Sequence, residues 1–180
     1  MWHPFQSVGV RDRKRLMRVV GVLTAISGIG ILLVDNPTHN DTAPLGQVSL
    51  QFAGTTERAT EIVASWADVL PYAGGSVGID YLWMLSYSTL LMLGCAWVAH
   101  RGRGTVWATV GALGGIAATL ALVLDAIEGV LLFQILDDPA AGNPGLIRVV
   151  ATVKFLAIAV SLGVWIAGGL ATRRAVAARS

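Results

Sequence analysis

Four long apolar blocks, at 16–34, 80–99, 105–136 and 146–172, decide what this chain can fold into. About 30 Å of hydrocarbon is crossed by roughly 18 residues or more at the helical rise of about 1.5 Å, and each block is long enough. Only 13% of the residues are charged and 54% are hydrophobic, so about half the charge expected of a soluble domain is missing. Alternating polar and apolar segments, which a β-barrel needs, are absent. A backbone in lipid must satisfy its own hydrogen bonds. The expected fold is therefore an all-α integral membrane protein, a single four-helix transmembrane domain over 1–180.

Charge sets the orientation. Arg11, Arg13, Lys14, Arg15 and Arg18 precede the first span, Arg101 and Arg103 separate the second and third, and Arg173, Arg174 and Arg179 follow the fourth. The opposite side carries only Arg58, Arg148 and Lys154. Ten against three puts both termini in the cytoplasm. The formal net charge of +2 is thereby used by the membrane, and no nucleic-acid partner is needed to explain it. The first span lacks a small-x-small cleavage site after "LLVDNPTH" and reads as uncleaved. The single cysteine, Cys95, falls within a span and reads as a small packing residue. Abundant Ala, Gly, Val and Arg suggest a bacterial plasma membrane.

The connections differ in length. Spans 2 and 3 should form an antiparallel hairpin, and the Gly111/Gly115 pair in "GALGG" suits close helix packing within the bundle. The loop 35–79 is the one sizeable segment outside the membrane. Its first part, "DNPTHNDTAP", reads as irregular. A helix is expected over 56–70, capped by Thr55 or Thr56, with Glu57 in its first turn and Pro71 after its end. Its apolar face would be Ala59, Ile62, Val63, Trp66 and Leu70. "YAGGSVG" should be a flexible connection into span 2. From 105 to 136 a helix would reach about 48 Å, so "GVLLFQIL" should project beyond the hydrocarbon. Its apolar side chains, Leu132 and Phe133 among them, would pack under the loop helix as an extracytoplasmic cap; the alternative is a loop helix lying on lipid.

The acids are the unusual feature. Counted from the cytoplasmic ends at helical rise, Asp35 and Asp80 lie about 28 Å away, Asp125 about 30 Å, Glu128 about 35 Å, Lys154 about 27 Å and Arg148 about 36 Å. Each span thus brings charge to the outer edge of the hydrocarbon. Asp125 and Glu128, three apart, share a helix face, and Tyr87 lies on the Asp80–Met84 face. Lys154 is costly unless paired, and Asp125, Glu128 or Asp80 is its expected partner. Four carboxylates still face two cations in this layer. An ion-pair network that fixes helix register would give the same pattern.

Metal and cofactor chemistry find no motif. His3, His39 and His100 lie outside the spans, which disfavours bis-histidine haem, and "DNPTHND" reads as a turn before it reads as a metal site. Glu128 lacks the histidine three residues on that di-iron bundles use, and no P-loop, G-x-S-x-G or H-E-x-x-H occurs. No cofactor is called for. The expected function is a small membrane binding or accessory protein with an outward-facing acid-lined layer for a cationic or amphipathic molecule or a lipid headgroup. Its ligand-binding candidates are Asp80, Tyr87, Asp125, Glu128, Arg148 and Lys154. The rival is a structural or regulatory subunit of a larger membrane complex. An enzyme using Asp125 or Glu128 as a general base is a weaker third, because no nucleophile accompanies them.

Overall fold

The computed structural model describes residue 5 and residues 9–177, with side chains described as far as Thr172. Residues 1–4 and 6–8 of the expected cytoplasmic segment, and the side chains of Arg173, Arg174 and Arg179, lie outside the described residues. Among the described residues six α-helices occur in the order α1 (Val10–Asp35), α2 (Gln47–Gln51), α3 (Thr56–Ser65), α4 (Leu70–Arg101), α5 (Val106–Asp137) and α6 (Pro144–Ala177), with a 3-10 turn at Asn36–Thr38. No strand occurs among the described residues. α1, α4, α5 and α6 are each long and apolar enough to cross a membrane.

Helix ends follow local chemistry. The Thr55 side chain accepts the Arg58 amide at 3.3 Å and caps α3, with Glu57 in the first turn. α3 stops at Ser65, earlier than expected, and Trp66 leaves the helical region. Pro71 then sits in the first turn of α4, where its missing N–H deprives the helix of nothing. "YAGGSVG" is accordingly helical, and α4 starts ten residues before the apolar block at 80. The glycines there have low helix propensity, but tertiary packing outweighs it. Ala73 and Val77 join the core, and Ser76 donates to Gln47 Oε1 at 2.6 Å.

The chain divides into two compact units. The first comprises the chain through Leu23, Ser86–Leu122 and the chain from Lys154 onward; the second comprises Thr24–Leu85 and Val123–Val153. In the first unit α4 and α5 form a hairpin through Gly104, whose φ of +79° suits glycine. A Cβ on Gly111 would stand 2.5 Å from the Ala99 amide nitrogen and 2.8 Å from the Cys95 carbonyl. Bare glycine lets the two backbones touch, the packing role expected of this segment. Cys95 is buried and donates from Sγ to the Ser161 carbonyl.

The second unit has its own core of Leu50, Ala59, Ile62, Trp66, Ala73, Val77, Leu132, Ile135 and Ile147, together with Ala43. α3 therefore packs its apolar face onto α5 and α6, as the cap reading requires. Two details differ from expectation. Leu70 begins α4 and is partly exposed, and Phe133 lies outside this core, 41% exposed. The helical period explains the second point, since Leu132 and Ile135 face the cap and Phe133 is turned about 100° away.

Candidate functional site

In the second unit an acid–aromatic group forms where α4 meets α5. Tyr81 lies against Gly129: a Cβ there would stand 2.8 Å from three atoms of the tyrosine ring. The Tyr81 hydroxyl donates to the Ala126 carbonyl at 3.3 Å. Its ring stacks with Phe133, the centroids 6.5 Å apart and the planes 15° from parallel. Asp125 directly precedes Ala126, whose carbonyl takes the Tyr81 hydroxyl, and Asp80 directly precedes Tyr81, so both acids flank this contact along the chain. Asp125 is 3% exposed and Glu128 is fully buried, while Asp80 is half-buried. Each of the three acids has interaction partners.

Local sequence explains the assembly. Asp80 and Tyr81 are neighbours on α4, so an acid and an aromatic ring reach the same level. On α5, Asp125, Gly129 and Phe133 recur at four-residue spacing on one stripe, and Glu128 lies one turn from Asp125. Gly129 is the permissive element, because any side chain there would displace the Tyr81 ring. Tyr81, Gly129 and Phe133 were missed as site residues. A search along the Asp80 face leads to Tyr87 instead, and the signal for Tyr81 is the glycine opposite it, which has no meaning until the helices are paired.

The other expected residues are distributed as follows. Arg148 also belongs to the second unit, where its guanidinium lies over Gly54. Tyr87 (6% exposed) and Lys154 (3% exposed) belong to the first unit. The Lys154 ammonium stands 4.7 Å from the Phe155 ring centroid. Asp35, the acid supplied by α1, is held in a hydrogen-bonded knot. Its Oδ1 accepts from Thr38 Oγ1 at 2.8 Å and from the Gln47 amide at 3.1 Å, and His39 Nε2 lies 3.2 Å from Oδ2. Thr38 and Asp35 are buried while Asn36, His39 and Asp41 stay exposed, so the segment expected as a turn is anchored by two buried side chains that tie the end of α1 to α2. Asp35 thus has a structural task.

Chemically, the acid–aromatic group offers negative charge beside a π-face. Carboxylates attract a cation, and aromatic faces attract it too while providing apolar cover. No group of three or more His, Cys, Asp or Glu side chains with metal-site geometry occurs among the described residues. No family model, curated protein or solved structure matches the chain.

Proposed function

We propose that this chain is a multi-pass plasma-membrane protein, bacterial and with both termini cytoplasmic, that binds a cationic amphiphile from the outer half of the bilayer. Membrane placement is supported by the four apolar helices and by the apolar surface of α1, where Leu32 is 72% and Leu33 71% exposed. Lipid is the solvent that such a surface suits. The placement of basic residues supports the orientation.

The observation that carries the binding reading is the stacked Tyr81–Phe133 pair, whose tyrosine follows Asp80 on α4 and bonds through its hydroxyl to the residue after Asp125 on α5. A bundle that needed only register-fixing charge would have no use for a stacked aromatic pair with one exposed ring. A positively charged head would sit near Asp80, the most accessible acid of the group, and an apolar body would lie against Phe133. Asp125 sets the field behind them. The competing reading, a subunit whose acids only hold the bundle together, requires no ligand.

The test is equilibrium binding of tetraphenylphosphonium, a lipophilic cation, to the purified protein in micelles. Wild type should bind saturably. Asp80→Asn should weaken binding by about tenfold, the loss of one charge contact, and Phe133→Leu by roughly threefold to tenfold through the lost π-face. No saturable binding by a folded wild-type protein, together with a co-purifying partner chain, would establish the subunit reading instead.

A further inference from the structure

A second charged feature of this unit lies at the start of α6 and has the opposite sign. Arg148 is exposed, and among the described residues no carboxylate lies within ion-pair distance of it; the half-buried Arg58, by contrast, pairs with Glu61 at 2.9 Å. Its position is built. Gly54, at a φ of +76°, leaves bare backbone on which the arginine rests. A Cβ there would stand 3.2 Å from Arg148 Nη1 and 3.4 Å from its Cδ. The same stretch of chain meets the start of α6, since a Cβ on Gly145 would be 3.7 Å from the Gly54 carbonyl.

Exposed apolar side chains occur at the same end of α6 and in the chain before Gly54. Leu146 is 44% and Val149 60% exposed on α6, and Phe52, two residues before Gly54, is 40% exposed. One cation, with no acidic partner among the described residues, thus stands at an end of α6 where Leu146, Val149 and Val153 are exposed, with the exposed Thr152 one turn on. Counted along α6 from Thr172, Arg148 lies 24 residues away, about 36 Å, beyond a hydrocarbon core of about 30 Å and therefore among headgroups.

We propose that Arg148 binds the phosphate of an outer-leaflet phospholipid, with Gly54 providing the platform for the guanidinium and Leu146, Val149 and Phe52 meeting the lipid's glycerol and upper acyl chains. The planar guanidinium fork matches two phosphate oxygens, and the apolar neighbours distinguish a lipid from a free anion. This inference rests on the membrane placement proposed above and is independent of the cation site.

The experiment is native mass spectrometry of the protein released from micelles containing phosphatidylglycerol, with alkaline extraction of the source membranes as a parallel measurement. Wild type should retain phosphatidylglycerol. Arg148→Gln should weaken its retention about tenfold, with Arg148→Lys intermediate because it keeps the charge and loses the fork. Arg58→Gln, which removes an arginine already paired, should match wild type. Equal retention by Arg148→Gln and wild type overturns the proposal, as does equal retention of uncharged diacylglycerol. Displacement of the lipid by millimolar inorganic phosphate assigns the site to free phosphate and also overturns it. Extraction of the wild-type chain by alkali without detergent would defeat the membrane placement itself.

Discussion

Trp66 is the side chain whose removal tests the cap most sharply. It is 1% exposed within the core that includes Ile62, Leu132, Ile135 and Ile147, and its indole nitrogen donates to the Thr38 carbonyl at 2.6 Å. Trp66→Ala removes the largest buried side chain of this unit, and such truncations cost about 3–5 kcal/mol. Trp66→Phe keeps most of the apolar contact and strands the carbonyl, at a cost of about 1–3 kcal/mol. The readout is hydrogen–deuterium exchange of peptides covering α3, in micelles. At roughly 1.4 kcal/mol per factor of ten, Phe should speed α3 exchange by about fivefold to a hundredfold and Ala by about a hundredfold to several thousandfold, if α3 opens as a local unit. Peptides of the α4–α5 hairpin around Gly104 should change little. If α3 exchange in Trp66→Ala stays within about twofold of wild type, the tryptophan is not holding the cap, and a loop helix lying on lipid becomes the better description.

Glycine positions offer three further tests. Gly46 has a φ of +54°, and an alanine Cβ there would stand 2.7 Å from both Thr38 Oγ1 and His39 Nε2, and closer still to Asp35 Oδ2. Gly46→Ala should therefore destabilise by at least the roughly 1–3 kcal/mol of backbone strain, read as a lowered Tm in micelles. Gly111→Ala should cost about 1–3 kcal/mol, because the added methyl meets α4 backbone that cannot rotate aside. Gly21→Ala is its control: nothing lies within 4 Å of that Cβ, so its Tm should be unchanged or slightly raised. Gly129→Ala should displace the Tyr81 ring and weaken tetraphenylphosphonium binding by about tenfold, while leaving the exchange of α3 peptides as in wild type.

The long helices were legible because span length and apolar content are properties of the chain alone. The packing of α3 on α5 was legible for a related reason: the apolar end of a very long α5 block and an amphipathic segment both needed cover. What failed was local. Pro71 and the glycines of "YAGGSVG" read as breakers, yet Pro71 sits where a helix tolerates it, and the burial of Ala73, Ser76 and Val77 outweighs the glycine propensities. The "DNPTHND" segment read as a turn, and its anchoring through Asp35 and Thr38 was not legible because hydrophilic composition does not reveal that Gln47 and Gly46, ten or more residues after Asp35, return to it. Of the candidate site, the acids were readable one by one. Their aromatic partner was not, because Tyr81 meets α5 only through the space that Gly129 leaves.

The account stands on α1, α4, α5 and α6 crossing a bilayer so that the acid–aromatic group faces outward, and cysteine accessibility in intact cells tests this directly. Asp41, Ala140 and Arg103 are exposed, whereas Gly102 is buried beside Trp107 and makes a poor probe position. In a Cys95→Ala background, Asp41→Cys and Ala140→Cys should react with a membrane-impermeant maleimide added to whole cells. Arg103→Cys should react only after permeabilisation. Labelling of Arg103→Cys in intact cells, with Asp41→Cys and Ala140→Cys protected, would reverse the orientation and contradict the account.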